Sequence, residues 1–247
     1  MTGSGRQAGL TGRTVVVIGG SAGIGLETAR QVRADGGQVV LVGRNPERLE
    51  RAALGVGAVG TASFDASDND RLREFFRELP GPVDHVMVTA GSPSYTPLAD
   101  VDLARAPREF GERLATTLAV ALYGRDKVRD GGTLLFMGGT GGRRPGAGLA
   151  VVSALTAALP ALIASLAVEL APVRVNLIAA GFVDTPLSAA LLGDRLDARR
   201  DELRATLPIG RVVEPGDVAA LAVHIMCNTA LTGGTYDIDG GQQFVSR

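Results

Sequence analysis

Three kinds of residue in this chain of 247 amino acids are placed where their chemistry is usable. The first is the run Gly19-Gly20-Ser21-Ala22-Gly23-Ile24-Gly25, with G-x3-G-x-G spacing, which follows an apolar stretch and opens a helical pattern. Glycines there let the backbone turn sharply, and the free N–H groups and dipole of the helix behind them attract an anion such as a pyrophosphate. The second kind is the set of groups able to move a proton, and it is small. The chain carries 24 arginines but one lysine, Lys127, and its tyrosines are Tyr95, Tyr123 and Tyr236. The third kind is metal and thiol ligands. Two distant histidines, His85 and His224, argue against a histidine metal site, and a single cysteine, Cys227, excludes a disulfide framework and cysteine-rich zinc or iron–sulfur sites.

Charge removes further classes of function. Twenty-five basic against 26 acidic residues give a net charge of -1, so no broad positive field is available for nucleic acid or an anionic membrane. Residues 1–10 are polar and glycine-rich without an apolar signal core, and the apolar stretches elsewhere are interrupted short of a membrane span. The expectation is a cytoplasmic protein.

The elements that must position these groups alternate regularly. After a tail at 1–11, expected to be mobile, residues 14–18 (TVVVI) form a β-branched strand that ends in the glycines and feeds a helix. Strands follow at 38–42, 58–64, 85–89, 133–137, 174–178 and 235–238, with helices from 46, at 69–78, 106–128 and 149–170 between them. Seven strands traded with helices predict a Rossmann-like doubly wound parallel sheet covered on both faces, a single α/β domain over 12–247. The charged, amphipathic stretch 187–207 reads as a helical, lid-like excursion between the last two strands.

With the glycine turn at the head of such a pattern, the sequence resembles the short-chain dehydrogenase/reductase family nearly end to end. Similar features are Asp65-Ala66 after the third strand, Thr89-Ala90-Gly91 after the fourth, Arg174-Val175-Asn176 in the sixth, residues 181–185 behind it, and Thr232-Gly233-Gly234 and Asp239-Gly240-Gly241 near the end. The resemblance implies a dinucleotide on Gly19, Ser21, Gly23, Ile24 and Gly25, its adenine at Asp65 and Ala66, its nicotinamide-side ribose at Ala90 and Gly91, and its carboxamide on the segment of Gly181, Val183 and Thr185. Ala180 stands where the family usually has proline. At the end of the second strand, where an acid would bond the ribose hydroxyls of NAD, the chain has Gly43, Arg44 and Asn45. A guanidinium without an acid suits the 2′-phosphate of NADP(H), with Ser21 as a second contact; the alternative is a solvated surface arginine.

The same resemblance implies a catalytic Ser, Tyr and Lys in the pattern S-x12-Y-x3-K with an upstream Asn, and here the residue types depart from it. Gly139, Val152 and Thr156 align with the serine, tyrosine and lysine, and Arg113 with the asparagine. Valine has no proton to give and threonine carries no charge. Tyr95, in a loop bordering the expected pocket, is the candidate replacement donor, with Arg113 as the cation that would lower its pKa; Lys127 reads as a solvated helix-end cation. Two readings stand: an NADP(H)-dependent reductase of a carbonyl or an already activated acceptor, or a catalytically silent NADPH-binding sensor or scaffold subunit. The small and apolar surface of the 149–170 helix predicts a homodimer or homotetramer.

Overall fold

The computed structural model of the protein describes residues 9–93, 95–144 and 146–245. The chain runs β1 (Thr14–Ile18), α1 (Gly23–Ala34), β2 (Gln38–Gly43), α2 (Pro46–Val56), β3 (Gly60–Ser63), α3 (Asn69–Glu78), β4 (Val83–Val88), α4 (Ala106–Gly124), β5 (Val128–Gly139), α5 (Ala150–Glu169), β6 (Arg174–Ala180), α6 (Pro186–Leu192), α7 (Leu196–Thr206), α8 (Pro215–Cys227) and β7 (Thr235–Ile238). The strands form one parallel sheet in the order β3-β2-β1-β4-β5-β6-β7. Order reverses between β1 and β4, which opens a crevice at their carboxyl ends where open α/β sheets bind ligands.

Both faces of the sheet are covered, which is why its strands read as continuous β-branched runs. Val16 and Ile18 of β1 join the layer holding Phe76, Val120, Leu159 and Ile163, whereas Val15 and Val17 join the layer holding Ala29, Val32, Val218 and Ala222. The two-residue period of one strand thus divides the core between α3, α4 and α5 on one side and α1, α2 and α8 on the other.

Several local expectations are corrected. Residues 9–11 belong to the fold, because Leu10 is buried and its N–H donates to Asp35 Oδ2 at 2.9 Å; residues 1–8 of the expected tail lie outside the described residues. The long helix stops at Gly124 and β5 begins at Val128. Between them Lys127 is no solvated cation: its Nζ donates to the carbonyls of Arg77 and Leu79 at 3.2 and 3.1 Å, satisfying the last turn of α3. The excursion at 187–207 consists of α6 and α7, anchored by a small cluster of Leu203, Leu207 and Val212 with Phe182 packed against it. Ala150–Glu169 is long and apolar enough to cross a membrane by length and composition, against the expectation that every apolar stretch is interrupted. Ser153, Thr156, Pro160 and Ser165 punctuate it without charge, and Leu159, Ile163 and Leu166 lie in the core.

Candidate cofactor and acceptor site

Main-chain bonds join the strand ends at the switch point. Thr89 and Ala90, just past β4, both donate their N–H to Ile18 O at 2.8 and 3.1 Å, and Thr89 Oγ1 donates to Gly19 O at 3.1 Å. Gly19 has φ +98, and a Cβ there would lie 2.5 Å from Thr89 Oγ1, so both its conformation and its neighbour require glycine. The turn delivers the chain to α1, whose first turn has neither a side-chain cap nor an acidic residue. In α2 and α3, by contrast, the side chains of Asn45 and Asp68 accept from the first-turn N–H groups. The uncapped start of α1 therefore offers donors and a positive dipole end at the crevice, an arrangement that fits the pyrophosphate of a dinucleotide.

At the far end of the crevice Arg44 and Asp65 meet, with Nη1 3.5 Å from Oδ2. The other carboxylate oxygen of Asp65 accepts from Ser67 N and Oγ at 3.0 and 2.8 Å. The Ser67 N–H foremost, with the Arg44 charge in support, holds the Asp65 carboxyl below the usual carboxylate range. Ser21 lies over Gly43, where a Cβ would come 3.1 Å from its Oγ. Asn45 also caps α2, its Oδ1 accepting from Arg48 N at 2.8 Å.

The segment behind β6 folds back over the glycine turn. Thr185 caps α6, accepting from Ser188 N at 3.1 Å, and its side chain lies 3.5 Å from where a Cβ of Gly23 would stand. Val183 is buried, pairs with Val213 in an isolated bridge, and its carbonyl accepts from Ser188 Oγ at 2.6 Å. Gly181 N donates to Ile238 O at 3.1 Å, tying the segment to β7. Gly19, Ser21, Gly23, Ile24, Gly25, Ala66, Ala90, Gly91, Gly181, Val183 and Thr185 thus converge on the carboxyl edge of the sheet.

On the acceptor side, Gly139 ends β5 and a Cβ on it would meet Thr156 Cγ2 at 3.4 Å. Thr156 Oγ1 bonds within its own helix to the carbonyls of Val152 and Ser153 at 2.9 and 3.1 Å, and Val152 is buried. Ser153 Oγ donates to Gly141 O at 3.0 Å. Arg113 reaches from α4 across the strand ends, donating to Ala90 O through Nη1 and to Met137 O at 2.8 Å through Nη2. Gly91, at φ +116, makes room for it, since any Cβ there would collide with Nη1. Desolvation lowers the Arg113 pKa. The expected pairing of Tyr95 with Arg113 is not formed. Tyr95 keeps 57% of its surface exposed, yet the protein around it raises its pKa by desolvation, and the cation opposing that shift is Arg199 on α7. Arg113 bonds main chain instead because the carbonyls at the ends of β4 and β5 lie within its reach.

Comparison with known proteins identifies the family. A family model described as enoyl-(acyl carrier protein) reductase matches residues 18–243. The chain is a short-chain dehydrogenase/reductase. A curated member of that family from Stachybotrys chlorohalonatus, ATR9, is 30% identical, over 94% of this chain and 97% of its own. Among solved structures, the MalC reductase/Diels–Alderase of Malbranchea aurantiaca superposes with a TM-score of 0.87 at 26% identity, covering 95% of this chain and 97% of that one. A small-chain dehydrogenase in complex with NADPH superposes with a TM-score of 0.79 at 29% identity, covering 94% and 99%.

In this short-chain dehydrogenase/reductase the sequence reading passed over Asp184, between Val183 and Thr185. Arg200 of α7 grips its carboxylate through Nε and Nη2, both at 2.8 Å, and also reaches Asp197 at 2.9 Å. The signal was present as an acid flanked by two candidate cofactor residues and an arginine on the amphipathic excursion, but their meeting depends on how α6 and α7 fold back.

Proposed function

We propose that this short-chain dehydrogenase/reductase binds NADP(H) and reduces acceptors that arrive already activated, such as a quinone or an iminium ion, in preference to simple ketones. One observation carries the reading: Gly139, Val152 and Thr156 occupy the positions that resemble the family's Ser, Tyr and Lys, next to a glycine turn and switch point that retain the fit for a dinucleotide. Bound NADPH supplies a hydride. The first turn of α1 holds its pyrophosphate, Asp65 and Ala66 meet the adenine, Arg44 with Ser21 takes the 2′-phosphate, Ala90 and Gly91 line the ribose, and Gly181, Val183 and Thr185 orient the carboxamide. Arg113 polarises the acceptor. General acid catalysis contributes about 10²- to 10⁴-fold, and an acceptor that needs little protonation in the transition state forgoes little of it. The solved relative described as both a reductase and a Diels–Alderase supports the reading, because a cycloaddition asks the pocket to orient its reactants and does not require a proton donor.

A second reading, a catalytically silent NADPH-binding sensor or scaffold subunit, is favoured by the way Thr156 and Arg113 both direct hydrogen bonds to main chain. Restoring Gly139→Ser, Val152→Tyr and Thr156→Lys together tests the first reading. The triple variant should gain turnover on simple ketones while keeping NADPH affinity, and a variant that binds NADPH yet gains nothing would count against the assignment of these positions.

The reductase is also proposed to be a cytoplasmic homodimer or homotetramer. Support comes from α4 and α5, where Leu118, Leu122 and Val168 are exposed beside Ala154 and Ala161.

A further inference from the structure

Among the described residues two arginines, Arg113 and Arg174, are desolvated without a carboxylate partner, and they are satisfied differently. Arg174 on β6 makes five bonds to carbonyls: Nε to Gly131, Nη1 to Ile225, Asn228 and Leu231, and Nη2 to Met226, all at 2.9 to 3.1 Å. It occupies the donors on all three nitrogens and serves the carbonyl end of α8, a structural use that needs nothing further. Among the described residues Arg113 donates to two carbonyls, Ala90 O and Met137 O. A guanidinium has five N–H groups, so most of the donor capacity of Arg113 remains, at a place where desolvation lowers its pKa and no acid among the described residues opposes that shift. A charge withdrawn from water is stabilised only by pairing or by hydrogen bonds. The guanidinium lies over Gly91, just past the carboxyl end of β4, with Nη1 against it.

We propose that Arg113 anchors an anionic oxygen of the acceptor, a carboxylate or a phenolate, and that the pocket discriminates against cationic ligands. The inference rests on the reading that the acceptor occupies the ends of β4 and β5, and it narrows the acceptors from activated electrophiles in general to those bearing an anionic oxygen, which excludes iminium ions. A charge-assisted bond from a fixed guanidinium to a carboxylate is about twice as strong as a neutral one, whereas a second cation beside Arg113 is repelled.

Three probes with one ring and different charge test this: benzoate, benzamide and benzamidine, titrated by calorimetry or ligand-observed NMR into the whole protein after NADPH binding has been measured by its fluorescence. The expected result is benzoate binding about tenfold or more tighter than either other probe, a margin of about 1.4 kcal/mol. Arg113→Met should abolish the preference and Arg113→Lys should keep part of it, with circular dichroism confirming that each is folded. Equal affinities, a preference for benzamidine, or no binding of any probe to the wild type would overturn the anchor, and so would a benzoate preference that survives in folded Arg113→Met. The wild-type comparison decides even if the Met variant fails to fold. If NADPH binds and benzoate shows no preference, the anchor alone falls; if NADPH does not bind, the underlying reading falls and takes the anchor with it.

Discussion

Arg200 on α7 holds both carboxylate oxygens of Asp184 at 2.8 Å, and so fastens the helical excursion to the segment that carries Val183 and Thr185. The contact is a bidentate ion pair with both side chains partly shielded, the geometry in which such pairs are strongest. If Val183 and Thr185 meet the cofactor as proposed, Arg200 is a positioning residue that acts through the loop it fixes.

Arg200→Ala should therefore raise KM for both cofactor and acceptor several-fold and speed NADPH release, with a smaller effect on kcat for an activated acceptor. Stopped-flow measurement of NADPH dissociation checks this, and Arg200→Lys, which keeps the charge but loses the fork, should rescue it only in part. Unchanged release in the Ala variant would show that the pair is surface decoration.

Arg44 is the residue proposed to set cofactor choice. Its resting partner is Asp65 at 3.5 Å, a long and exposed contact that a phosphate can replace. Arg44→Ala should weaken NADPH by ~1.5–3 kcal/mol, roughly ten- to a hundredfold, and leave NADH nearly unchanged. The difference should shrink as salt rises, because the site faces solvent. Equal wild-type affinities for NADPH and NADH in a fluorescence titration would reject the assignment.

His85 gives the protein an acid limit unconnected with the site. It lies buried on β4 with no partner for Nδ1, and burial foremost, with the Arg174 charge, depresses its pKa from 6.5 to about 4. The unfolded chain takes up this proton first as pH falls, so the contribution is complete above about pH 6.5 and is lost on descending toward pH 4, on the order of 3 kcal/mol in all. Urea unfolding across that range should show the loss, and His85→Leu should flatten it. An identical pH profile in the variant would contradict the account.

Subunit association is expected through α4 and α5. Sedimentation at micromolar concentration should give a dimer or tetramer, and Leu122→Glu, on a side chain 58% exposed in the single chain, should shift it toward monomer. A monomeric wild type would dispose of this proposal.

What could be read in advance was whatever depends on local pattern. TVVVI followed by glycines announces a buried strand and a tight turn to a helix, and repetition of that unit specifies the parallel sheet. Partners chosen by tertiary geometry were not legible. Nothing local distinguishes Lys127 as a cap for α3 from a solvated lysine, whereas Asn45 before Pro46 carries a local helix-start signal. Tyr95 and Arg113 were expected to be partners at one pocket, but Arg113 finds the carbonyl of Ala90, just past β4, and that of Met137 on β5, which become neighbours only when the sheet assembles. The helix α8, which packs Val218, Ala219, Ala222, Ile225 and Met226 into the core, was not among the elements expected from the sequence.

The central claim is that hydride transfer persists while proton donation is weak. The measurement that tests it is steady-state NADPH oxidation by the wild type with a quinone and with an unactivated ketone, side by side. Quinone turnover should exceed that on the ketone by about 10²-fold or more, the size of a missing general acid. High turnover on the unactivated ketone, undiminished by Tyr95→Phe or Arg113→Ala, would contradict it and place the reaction elsewhere in the molecule.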